Sequence, residues 1–151
     1  IPLTQKWVGK TKVAVGDLGA AAPHLIAASR KYRSSAGDKI GGYGLRIYRL
    51  DKQKAELLCY KKINAREVAT GQIAGREVLA VNRTEGSDPV IRRLEIYELE
   101  GRNLRRLWRC IFPRQDHAIN QLTFADVTGN GQQELLVSFG PGGILILAAS
   151  I

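Results

Sequence analysis

The feature that most constrains this chain is an internal repeat. Three segments align: "VAVGDLGAAAPHLIAAS" (13–29), "EVATGQIAGREVLAVN" (67–82) and "TFADVTGNGQQELLVS" (123–138). Gly16-Asp17 corresponds to Gly71-Gln72 and to Ala125-Asp126, at spacings of 55 and 54 residues. Further apolar runs follow: "GLRIYRL" (44–50) and "AELLCYK" (55–61), then "RLEIYEL" (93–99) and "NLRRLWRC" (103–110). The third unit has only "GGILILA" (142–148). A period of this length means that one supersecondary unit recurs and that neighbouring units bury one another's faces.

Each unit reads as four short β-strands. Runs rich in Val, Ile, Leu and Tyr are bounded by Gly, Asn, Asp and Pro, the pattern of strands joined by turns. No segment has a 3.6-residue apolar period with helix caps. The expected fold is all-β, built from blades of four antiparallel strands, as in a β-propeller. One domain, 1–151, would hold blades at about 11–63, 66–112 and 121–149. The segment "TQKWV" (4–8) is similar to "RRLWR" (105–109), the fourth strand of the second unit. Strand 4–9 is therefore expected to complete the last blade.

The run "FADVTGNGQQELLVSFGPGGILIL" resembles the FG-GAP/VCBS repeat of β-propellers, in which an acidic, glycine-containing turn leads into an apolar strand. The resemblance covers most of the chain as three units and is specific only in the third. "GDLGAAAPHL" and "GQIAGREVL" lack the acidic ladder. It implies a secreted or cell-envelope location.

Three blades fall short of the four to eight of closed rings. Three arrangements remain open. Two copies would make a six-bladed, two-fold homodimeric ring, the chain is half of a longer polypeptide or of a hetero-assembly, or it is a monomeric three-stack whose open edge strands would invite association. The chain begins at Ile1 and contains no methionine, which reads as a processed or excised product.

In a meander, alternate turns fall at opposite ends. The long loops, 30–43, 82–90 and 111–120, share one end, where binding groups are expected. The candidate face is Arg30, Lys31, Tyr32, Arg33, Tyr43, Asn82, Arg83, Glu85, Asp88, Arg114, Asp116 and His117. Net charge is +9, which favours anionic partners. Basic and aromatic residues together suit a nucleic-acid backbone, a sugar or an acidic peptide.

The stretch "DVTGNGQQELLV" (126–137) has two readings. Asp126, Thr128, Asn130 and Glu134 alternate as calcium ligands do, with Gly131 at the sharp turn. Alternatively, Asp126 and Asn130 hydrogen-bond the turn backbone. Two carboxylates make a weak calcium ligand set, which favours the turn. Asp116 beside His117 could orient an imidazole, and His24 stands alone, but no nucleophile motif accompanies them. Cys59 and Cys110 fall on fourth strands of different units and fit no metal spacing. Trp7 and Trp108 suit blade faces. "NRT" (82–84) fits a glycosylation sequon, and Arg102, Arg105, Arg106 and Arg109 mark a charged edge strand.

The function expected is a non-catalytic interaction or assembly module with no required cofactor. Its partner would be a protein or a second copy, bound at the long-loop face. A lectin-like propeller and a nucleic-acid or anionic-surface binder are the alternatives.

Overall fold

The computed structural model describes residues 11–19, 23–29, 43–52, 54–85, 91–112, 118–140 and 142–148. Among them the fold is all-β, with eleven strands and no helix. The first sheet holds β1 (Thr11–Gly16), β2 (His24–Ser29), β3 (Gly44–Asp51) and β4 (Lys54–Lys61). The second holds β5 (Asn64–Ile73), β6 (Arg76–Glu85), β7 (Ile91–Glu100) and β8 (Asn103–Phe112). The third holds β9 (Ile119–Ala125), β10 (Glu134–Phe139) and β11 (Ile144–Leu147). Each is an antiparallel meander in sequence order. Strand 4–9, expected to complete the third sheet, lies outside the described residues.

Turn chemistry sets the hairpins. β5 and β6 join through Ala74 and Gly75, both at positive φ, 49° and 72°. That is the two-residue geometry whose twist matches antiparallel strands. In β7, "RLEIYEL" pairs with β6 in the register Leu79↔Tyr97, Ala80↔Ile96, Val81↔Glu95. Alternation therefore sends Tyr97 and Glu95 to one face and Ile96 and Leu94 to the other.

The sheets stack with the second in the middle. Ile26, Leu45 and Ile47 of the first meet Leu79, Val81 and Tyr97 of the second in one core. Val78, Ala80, Leu94 and Ile96 meet Leu122, Leu135 and Val137 of the third in the other. The middle sheet is buried on both faces, so β6 loses the apolar-polar alternation of a half-exposed strand.

The first strands of the sheets lie closest, and glycine permits it. A Cβ on Gly16 would stand 2.7 Å from Thr70 Cβ. One on Gly71 would stand 2.6 Å from Phe124 Cδ2. Thr70 and Phe124 are themselves one repeat apart, so the first-to-second junction recurs as the second-to-third.

Candidate functional site

The structure distributes the expected long-loop residues unevenly. Arg30, Lys31, Tyr32, Arg33, Asp88, Arg114, Asp116 and His117 lie outside the described residues. Tyr43 uses its backbone: its carbonyl accepts a hydrogen bond from the Tyr60 hydroxyl at 3.0 Å. Asn82, Arg83 and Glu85, read from sequence as loop, belong to β6, which continues its pairing with β7 to Glu85↔Ile91. Asn82 is buried, with Nδ2 3.5 Å from the Ile119 carbonyl. The acceptor side chain of the sequon is thereby packed between the second and third sheets. Glu85 is exposed and pairs with Arg93 at 2.6 Å.

Arg83 turns inward. Its Nε lies 2.9 Å from Glu95 Oε2, an ion-pair distance without an aligned hydrogen bond. Arg106 Nη1 reaches the other oxygen at 3.3 Å, and the Tyr97 hydroxyl donates to Oε2 at 2.5 Å. Glu95 is fully buried. Burial, and then the bond to Glu95, push the Tyr97 pKa well above the usual phenol range. Two further arginines of the outer edge are likewise engaged: Arg102 with Glu56, Arg105 with Glu98 and Glu100.

At the opposite end, the "DVTGNG" turn is closed by its own side chains. Asp126 Oδ1 accepts N–H bonds from Gly129 and Asn130 at 2.7 and 3.1 Å. Its Oδ2 accepts from Gly131 at 2.8 Å. Asn130 Oδ1 accepts from the Gln132 N–H at 2.8 Å. Glu134, buried, accepts from the Val127 N–H and the Thr128 hydroxyl at 2.9 and 3.1 Å. Gly131 takes φ of 80°, the left-handed conformation that suits glycine. The role this geometry supports is turn closure. Among the described residues no group of three or more His, Cys, Asp or Glu side chains is placed to hold a metal.

Between the first and second sheets lies a cavity of about 280 Å³ walled by Leu18, Leu58 and Leu99. Arg49, Glu56 and Arg102 stand at its rim, with Arg49 and Glu56 2.5 Å apart. His24 lies at its inner end, fully buried, and among the described residues neither ring nitrogen has a hydrogen-bond partner. Its counterpart in the second unit is Val78, as the register to Gly16 and Gly71 shows.

Burial lowers the His24 pKa from its ordinary 6.5; nearby Asp17 opposes the shift and Arg49 adds to it. The folded state then binds fewer protons than the unfolded. Stability is undiminished above pH 6.5 and falls as pH drops below that value. His24→Val should add about 1 kcal/mol at neutral pH by removing an unpaired buried polar group. It should also flatten the loss of stability between about pH 6.5 and 5. Urea unfolding at the two pH values checks both; a variant that is less stable and keeps the acid slope contradicts the assignment.

A further surface feature is apolar. Val13 and Val15 on β1 are 59% and 61% exposed. Their counterparts at Val13, Val68 and Leu122, are 9% and 5% exposed, each packed against the preceding sheet. On β11, Ile144 and Ile146 are 68% and 51% exposed. Their counterparts, Leu45 and Leu94, Ile47 and Ile96, are buried against the following sheet. The first sheet thus shows a face built to receive a preceding sheet, and the third a face built to meet a following one.

No family model matches the chain, and neither a curated protein nor a solved structure matches it. No helix among the described residues is long and apolar enough to cross a membrane. Sequence reasoning missed the terminal faces, the Glu95 cluster and the burial of Asn82. The repeat alignment carried the only signal for the faces: apolar residues recur at positions 13, 68 and 122, and among the described residues only Val68 and Leu122 pack against a preceding sheet.

Proposed function

We propose that the chain is a non-catalytic assembly module of propeller type. Its three sheets serve as blades, in keeping with the FG-GAP/VCBS resemblance of "FADVTGNGQQELLV". One observation carries the reading: apolar positions buried at both internal junctions are exposed on the two terminal faces. Apolar sheet faces of this kind mark protein contacts. The binding surface is accordingly the outer faces of the first and third sheets rather than the long loops. The close approaches of Gly16 to Thr70 and of Gly71 to Phe124, first strand to first strand, support a propeller-type stack.

A photo-crosslinking side chain at position 15 or 146 tests the reading in the cell of origin. A covalent protein adduct at both positions is the expected result. No adduct at either, together with salt-resistant glycan binding or salt-sensitive DNA binding, would replace it with the lectin or the electrostatic reading.

A further inference from the structure

Resting on that reading, we infer that the partner is a second copy of this chain. The third sheet of each copy docks on the first sheet of the other, and two such junctions close a two-fold ring of six sheets.

The repeat supplies the docking register. The internal junctions set residue 16 on residue 70 and residue 71 on residue 124. Position 125 is the third member of that series and position 15 is the equivalent of Thr70 and Phe124. The next contact in the series is therefore Ala125 on Val15 of the second copy. The same shift sets Ile144 and Ile146 against the Val13–Leu25 region, as Leu94 and Ile96 sit against the third sheet. The junction between copies repeats an interface already built twice within one.

The two faces also match in chemistry. On β1 and β2 the outward side chains are Val13, Val15, Leu25 and Ala27. On the third sheet they include Thr123, Leu136, Ile144 and Ile146. None of these eight is charged; the same faces continue onto Arg46, opposite Ala27 on the first sheet, and Glu134, opposite Ala125 on the third. One difference is informative. Gly16 and Gly71 have become Ala125, whose methyl holds the first strands further apart than at the internal junctions. That opens the Cβ separation toward the 3.5–4.5 Å or so that a disulfide spans.

Three measurements on the purified full chain test this. Light scattering should give twice 16.6 kDa. Raising salt should tighten association, because apolar docking must overcome repulsion between two basic copies. The double variant Val15→Cys, Ala125→Cys should form a covalent dimer under oxidation, and neither single variant should form that bond.

Charge variants then distinguish the geometry. Val15→Glu and Ile146→Glu should each yield a folded monomer that keeps a cooperative unfolding transition, since both positions are exposed within one copy, with a melting point lowered only by the lost association. Mixed in equal amounts, they should recover dimer, because one of the two junctions is then unmodified on both sides. Dimer loss by Val15→Glu alone overturns the inference in favour of first-sheet self-pairing. A monomer at all concentrations also overturns it. If position 15 still crosslinks another protein in the cell, the assembly reading stands with a different partner; if it crosslinks nothing, both fall.

Discussion

Gly71→Val should lower stability by about 3 kcal/mol, at the upper end of what overpacking costs. For a chain of this size that corresponds to a fall in melting temperature of roughly 6–12 °C. The reason is geometric. Gly71 sits where β5 runs beside β9, and any Cβ would enter the ring of Phe124. Neither first strand can retreat freely. β5 pairs with β6 over its length, and β9 pairs with β10 from Ile119 to Ala125. Val cannot turn its branches away, because both lie at Cβ, where the clash is. The strain must therefore separate the second and third sheets, opening the core of Ala80, Leu94, Leu135 and Val137. Phe124→Ala in the same chain should recover a third or more of the loss, and a double-mutant cycle measures the coupling. Ala125→Val, at the third position of the series, should cost under about 1 kcal/mol in the monomeric Ile146→Glu background, because among the described residues no sheet follows it within one copy. Equal losses at 71 and 125 would refute the repeat-junction account.

The strands were legible because short runs of Val, Ile, Leu and Tyr end at Gly, Asn or Asp, and the repeat set them in register three times. What was less legible follows from the stacking. Alternation in "RLEIYEL" reads as one buried and one solvated face, which sends Glu95 outward. Both faces of that strand are covered, so Glu95 is buried with its own set of partners. "NRTEGSDPV" reads as a loop because it is polar and rich in turn formers. Asn82 through Glu85 nevertheless extend β6, because β7 offers partners from Leu94 to Ile91. The turn at Asp126 was legible in its role, since Asx side chains that accept from the next backbone N–H groups need only local spacing. The exposure of Val13 and Ile146 could not be read at all. They have the same residue types as their buried counterparts, and only the presence of a neighbouring sheet distinguishes them.

Glu95→Leu should be the most damaging single substitution at a charged position, costing about 3–5 kcal/mol. The carboxylate is the sole acidic partner that the described residues offer to Arg83, and it shares Arg106 and the Tyr97 hydroxyl. Leucine fills the space but leaves Arg83, mostly buried, without a counter-charge. Arg106, half-exposed, can turn to solvent; Arg83 has the first sheet over it. The neighbouring Lys61 ammonium, 4.6 Å from the centre of the Tyr97 ring, adds a third positive charge to the same wall. Removing Arg83 at the same time should therefore be less harmful than removing Glu95 alone. Arg83→Met with Glu95→Leu is expected to recover more than half of the loss, since a buried pair replaced whole by apolar side chains is often neutral. Alkaline titration gives an independent reading. The raised Tyr97 pKa means that stability is full below pH 10, the ordinary phenol value, and is lost as pH rises above it. Glu95→Leu removes one of the causes of that rise, so its alkaline loss should be smaller than that of the parent chain. Chemical denaturation at pH 7 and at about pH 11 separates the outcomes. A neutral Glu95→Leu with an unchanged alkaline slope would mean that the carboxylate carries neither the arginines nor the tyrosine.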